Sequence, residues 1–223
     1  MLNADLNVRV VQETEAMAWH DTTETGEWLK PLEKDVGAVA RATGVLKYAP
    51  GSVLSPPPGL VGEEIIVLEG ILADEHGDYA AGTYLRNPPD VQRTLHSNAG
   101  CVLFVKQYGF EPGDIDVVRL DTANMSWLPG LVAGLSVMPL HQHRHENAAL
   151  VRWQPETYFQ PHGHFGGEEI LVLSGVFEDE FGRYPANTWI RSPHMSRHQP
   201  FSRSGCTIYV KTGHLMVDTT GMS

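Results

Sequence analysis

Apolar residues fall along this chain in short runs divided by turn-forming residues, and nowhere do they hold the roughly 3.6-residue spacing of an amphipathic helix. Val45-Leu46-Lys47-Tyr48, Ile65-Ile66-Val67-Leu68 and Cys101-Val102-Leu103-Phe104-Val105 are apolar or β-rich stretches of strand length, bounded by Gly, Pro and Asp clusters. Asp74-Glu75-His76-Gly77-Asp78 and Asp179-Glu180-Phe181-Gly182-Arg183 read as hairpin turns, with Gly where a positive φ is needed. The pattern predicts an all-β protein of barrels or sandwiches.

The same pattern is written twice. Val61-Gly62-Glu63-Glu64-Ile65-Ile66-Val67-Leu68-Glu69-Gly70 aligns with Gly166 to Gly175 at an offset of 105. From Val45 to Lys106 that offset needs no gap, and 22 of 62 positions are identical, too many for unrelated segments. Upstream the register slips to 108, where Met17, Trp19, Gly26, Pro31 and Leu32 fall on Met125, Trp127, Gly134, Pro139 and Leu140. Two units are therefore expected, 1–111 and 112–223, joined at Glu111-Pro112-Gly113-Asp114 by turn chemistry too short for a free linker.

Only the second copy carries a metal-ligand pattern. His162 and His164 stand two apart, so on an extended segment they point to one side. Gly166-Gly167 allows a tight turn, Glu168 opens the buried strand Ile170 to Leu173, and His198 follows after a hairpin-like segment. Three imidazoles and one carboxylate suit one divalent metal, with zinc, iron(II), manganese, nickel and copper all open on ligand type alone. Carried back to the first copy, His162, His164 and His198 become Pro57, Gly59 and Arg93, and only Glu168 keeps its type, as Glu63. The first unit is expected to hold no metal, with Glu63 facing Arg93 as an ion pair in its place.

Other residues have blander readings. Glu64, Glu169, Arg86 and Arg191 are kept in both copies, so they are expected to be structural. His141, His143 and His145 alternate and would share a face if all lay on one strand, either as a second metal site or, more commonly, as a solvated edge or pocket lining. His194 could line the pocket mouth, but its spacing does not make it a fifth ligand. Trp153, Tyr158, Phe159, Phe165 and Trp189 are expected mostly in the core, with one or two shaping a cavity.

Charge and composition narrow the partners. A net charge of −11 with only 16 Lys and Arg argues against a nucleic-acid surface. No charged-then-apolar leader and no apolar run of membrane-spanning length is present, so a cytoplasmic location is expected. Cys101 and Cys206 make no C-x-x-C pair and are expected to be buried and free of redox work.

Pro161-His162-Gly163-His164 with Gly-Gly-Glu-Glu-Ile-Leu-Val-Leu resembles the first cupin motif, and His198 resembles the His of the second. Asp-Glu-x-Gly-x-Tyr-Pro-Ala, Trp-Ile-Arg-Ser-Pro-His and Gly-Cys-x-Ile-Tyr-Val-Lys look like the cupin half of the anti-sigma factor ChrR and its relatives. The resemblance implies two tandem cupin (double-stranded β-helix, jelly-roll) barrels, a bicupin, with a zinc-type site at His162, His164, Glu168 and His198. It also implies a sensory or regulatory module binding a metal and a small molecule. The N-terminal domain by which ChrR grips a sigma factor has no counterpart here, so a sigma-factor partner is not expected. Very similar cupins include iron-dependent dioxygenases acting on small diketones or hydroxy-ketones, which leaves catalysis as the alternative. Duplicated cupins often pack about a pseudo-twofold axis, and further homo-oligomerisation stays open.

Overall fold

The computed structural model describes residues 1–36, 40–54, 61–89, 91 and 94–215. Among them the regular structure is β-strand, with two 3₁₀ turns at Thr14–Ala16 and Thr122–Asn124. No helix among the described residues is long and apolar enough to cross a membrane.

The chain forms two compact units, one of Met1–Ala4 with Met17–Met125 and one of Asp5–Ala16 with Ser126–Ser223. Compared with a cut after residue 111, the two leading segments, 5–16 and 112–125, change units. The cause is strand pairing: Val10–Glu13 lies antiparallel to Thr188–Ser192, and Val118–Asp121 lies antiparallel to Thr83–Asn87. Each covers a strand that would otherwise leave a row of unpaired backbone groups. A repeat offset reveals equivalent segments, but not which sheet a leading strand completes.

In the second unit the main sheet runs, in spatial order, Val10–Glu13, Thr188–Ser192, Glu168–Asp179, Cys206–Thr212, Glu146–Trp153, Leu135–His143 and Leu128–Pro129. The first unit repeats this order with Val118–Asp121, Thr83–Asn87, Gly62–Asp74, Cys101–Tyr108, Arg41–Tyr48, Glu27–Asp35 and His20–Asp21. The duplication read from sequence is thus a duplication of topology, and the all-β expectation holds.

The long strand Glu168–Asp179 serves two sheets. It skips a residue between Val172 and Ser174 against Cys206–Thr212, then continues against Gly182–Pro185. The extra residue bends the strand round the corner of a jelly roll. Gly175 sits at the bend with φ +72°, where a Cβ would collide with the Gly205 carbonyl, and Gly70 repeats this against Gly100. Alternation then divides the strand's faces. Ile170 and Val172 turn inward with Phe177, Trp153, Ile190 and Ile208 to form the core, each fully buried aliphatic side chain contributing about 1.5–3 kcal/mol. Ile65, Val67, Leu72 and Leu103 fill the first core likewise.

The opposite face carries Glu64, Arg86, Glu169 and Arg191, all buried. Glu64 stands across the strands from Arg86 at 3.2 Å, and Arg86 also pairs with Asp114 and lies over the Phe110 ring. Glu169 stands across from Arg191 and accepts from Trp189 Nε1 (2.8 Å), with His214 Nε2 3.0 Å from its other oxygen. Cys101 and Cys206 are buried free thiols. Burial raises both, Cys206 to about 11, so neither is a ready nucleophile.

Candidate metal centre

Two short strands and one turn assemble the site. His162–His164 pairs antiparallel with Ser196–His198, setting His162 opposite His198, while strand alternation turns His162 and His164 to the same side. Gly166 and Gly167 then take φ +74° each, and the Gly167 N–H bonds back to the His164 carbonyl at 3.1 Å. His194 Nδ1 accepts from the Gly166 N–H at 2.9 Å, so His194 pins the turn rather than joining the ligands. The turn delivers Glu168 at the start of its strand, opposite Ser192 and Thr212.

Ligand-type atoms of His162, His164, Glu168 and His198 all lie within 4.8 Å of one another. Glu168 Oε2 is 3.6 Å from His164 Nε2 and 3.7 Å from His198 Nε2, and the three imidazole centroids are 4.7 to 5.0 Å apart. Donors about 2.1 Å from a shared zinc at tetrahedral angles stand roughly 3.4 Å apart, so small side-chain movements suffice. His164 Nε2 and His198 Nε2 are buried with no hydrogen-bond partner among the described residues. Such orphaned lone pairs are costly unless something fills the gap between them, and a cation fits.

The electrostatics agree with that fit. Burial, then the neighbouring His198 and His162, push His164 down to about 3, and burial also lowers His162, so both imidazoles stay neutral. Burial drives Glu168 up to about 7 against the opposing pull of His198. His198 is held above its ordinary value: burial alone would lower it, but Asp179 and Glu168 outweigh burial. Asp179 itself is buried, yet hydrogen bonds from His198 and Tyr184 and the charge of Arg9 overcome burial and lower it.

The cluster opens on a cavity of about 310 Å³ walled chiefly by Leu135, Val137, Val151, Phe159, Ile208 and Val210. Among the described residues, Thr212 is the one wall residue besides the four ligand-type side chains with a hydroxyl, amide or charge, and no Lys or Arg lines the cavity. Trp153, Phe159 and Phe177 shape this cavity. Trp189 is core on the far face, whereas Tyr158, stacked on Phe201, and Phe165 are exposed.

Other expectations fare differently. His141 and His143 lie on Leu135–His143, but the pairing skips a residue after Pro139, and His145 falls beyond the strand, past Arg144 at φ +49°. The three do not gather as one metal-binding group among the described residues. Glu63 is buried and accepts from Asn87 Nδ2 at 3.3 Å; Pro57, Gly59 and Arg93, and with Arg93 the proposed ion pair, lie outside the described residues. Sequence reasoning missed Asp179 and Arg9. Asp179 looked like a hairpin-turn residue, which it also is, accepting from the N–H groups of Phe181 and Gly182.

Two jelly-roll units with a three-His, one-Glu cluster in one of them define a bicupin. The chain belongs to the ChrR cupin-like family, whose domain matches it twice, over residues 7–111 and 116–216. No curated protein sequence matches it. Among solved structures it is similar to a proposed dioxygenase from Nostoc punctiforme, at 13% identity and TM-score 0.76, over 96% of this chain and 86% of that one. It is also similar to the glyoxylate-induced protein proposed in Pseudomonas aeruginosa, at 12% identity and TM-score 0.77, over 99% and 94%. Oxalate decarboxylase from Lactobacillus farciminis, in its formate complex, follows at 11% identity and TM-score 0.65, over 91% and 85%. At these identities the likeness is one of fold.

Proposed function

We propose that His162, His164, Glu168 and His198 hold one divalent metal, and that with iron(II) the second barrel is a mononuclear dioxygenase acting on a small diketone or hydroxy-ketone. The observation that carries this reading is the apolar cavity against the ligand cluster. A pocket near 300 Å³ takes a small organic molecule. Four protein donors leave two positions of a six-coordinate ion, enough for a bidentate oxygen ligand or for substrate with dioxygen. Bound there, iron(II) would supply Lewis acidity and an electron source for dioxygen.

The chain's own residues choose the substrate. Three neutral imidazoles and one ionised carboxylate leave a single net positive charge on a divalent site, which matches a monoanionic enolate. Among the described residues the wall offers no Lys or Arg to a second carboxylate, so a dianion such as oxalate is disfavoured there. Valines and leucines meanwhile keep water from the reacting carbons. The fold shared with a proposed dioxygenase supports this reading over a purely sensory one.

Anaerobic reconstitution with ferrous iron, followed by oxygen uptake over a panel of β-diketones, hydroxy-ketones and oxalate, tests it. Uptake is expected with a diketone or hydroxy-ketone, not with oxalate, and is lost in His164→Ala. A protein that binds zinc with all four residues and consumes no oxygen with any panel member would instead be the metal-binding sensory module that ChrR-like family membership suggests.

A further inference from the structure

His198 is the ligand with the most elaborate support. Its Nδ1 lies 3.4 Å from Asp179 Oδ2, so with the proton on Nδ1 the lone pair of Nε2 is left facing Glu168. Asp179 is in turn gripped from several sides. Arg9 Nη2 donates to Oδ2 at 2.9 Å, and the Tyr184 hydroxyl donates to Oδ1 at 2.8 Å. The same Arg9 nitrogen also donates to the Tyr184 oxygen at 2.8 Å, and the guanidinium lies over the Phe181 and Tyr184 rings. Arg9 immediately precedes Val10–Glu13, the leading strand that pairs with Thr188–Ser192.

The first unit supplies an internal control. There Arg119 reaches Asp74 at 3.4 Å, and the Tyr79 hydroxyl donates to Asp74 at 2.7 Å. Val10 is opposite Arg191 and Val118 is opposite Arg86, so Arg9 sits one residue before the shared register point and Arg119 one residue after it. Each unit thus joins its leading strand to the same aspartate from a different position on that strand. In the second unit alone, among the described residues, the aspartate also faces a ligand-type histidine.

We propose that Asp179 and Arg9 are positioning residues for the metal: Arg9 fixes Asp179, Asp179 fixes the tautomer and direction of His198, and metal binding is thereby coupled to docking of the leading strand. The proposal rests on the metal-centre reading above and is independent of the dioxygenase reading. A carboxylate behind a ligating imidazole contributes about 10- to 100-fold in metal affinity. Coupling is reciprocal, so the bound metal must also protect the strand.

The test is zinc affinity of the full chain by chelator competition, with amide hydrogen exchange over residues 10–13. Asp179→Asn is expected to lose about 10- to 100-fold in zinc affinity, and Arg9→Gln about 3- to 10-fold with partial recovery in Arg9→Lys. Asp74→Asn, the same change in the other unit, is expected to shift zinc affinity less than about twofold. Zinc should slow exchange at residues 10–13 in the wild type and no longer do so in Asp179→Asn. Equal loss in Asp74→Asn and Asp179→Asn would mark general destabilisation and overturn the proposal, as would unchanged zinc affinity in Asp179→Asn. Should Asp179→Asn fail to fold, Arg9→Gln against Arg9→Lys decides, and equal affinity in those two and the wild type counts against it. A wild type that binds no zinc defeats the metal-centre reading itself.

Discussion

At pH 8 the metal-free Glu168→Gln protein is expected to be more stable to urea than the metal-free wild type, by about 3 kcal/mol. Glu168 is buried, and its folded-state value of about 7 stands above the ordinary 4.5. That gap corresponds to about 3 kcal/mol between the two protonation states. A raised carboxyl binds its proton more tightly folded than unfolded, so its contribution is undiminished below about pH 4.5 and is lost as pH rises through about 7. The advantage of the variant should therefore vanish near pH 4.5 and be complete at pH 8. Zinc should invert the order at pH 8, because a cation between His164, His198 and Glu168 stabilises the ionised carboxylate and the glutamine variant cannot use it as well. Equal urea midpoints for the two metal-free proteins at pH 8 would show that Glu168 is not held against its ionised form.

His164→Ala is expected to weaken zinc binding by about a hundred- to a thousandfold. Structural four-ligand zinc sites bind with roughly 10–16 kcal/mol, so one ligand in four carries about 2.5–4 kcal/mol. His164 is suited to show the full effect, since it is buried, held neutral and has an Nε2 with no hydrogen-bond partner among the described residues. Nothing need be deprotonated there at neutral pH before the metal binds. Glu63→Gln, at the position equivalent to Glu168, should leave zinc affinity unchanged, which calorimetric titration of both variants would show.

Much of this was legible in the sequence because it is local. An H-x-H pair, a Gly-Gly turn and a carboxylate at a strand start fix their own geometry within seven residues, and the structure brings those side chains to one point with His198. The duplication was legible because both copies kept their turn glycines and the Glu-Glu-Ile core run. What stayed hidden depends on pairing across long distances. Nothing near Arg9 announces a partner at Asp179, 170 residues away, and the repeat alignment hides the likeness because Arg9 and Arg119 occupy different register positions. Asp179 was hidden for another reason, since its turn role alone accounts for an aspartate in both copies. The three alternating histidines looked like a shared face until the skip after Pro139 and the turn at Arg144 separated them.

The central claim concerns one cation held by four side chains of the second unit and none by the first. Zinc per chain, measured after full stripping and reloading at pH 8, tests it most directly. One equivalent in the wild type and in Glu63→Gln, falling to none in the His162→Ala/His198→Ala double variant, is the predicted result. Two equivalents, none at all, or one equivalent surviving the double substitution would contradict it.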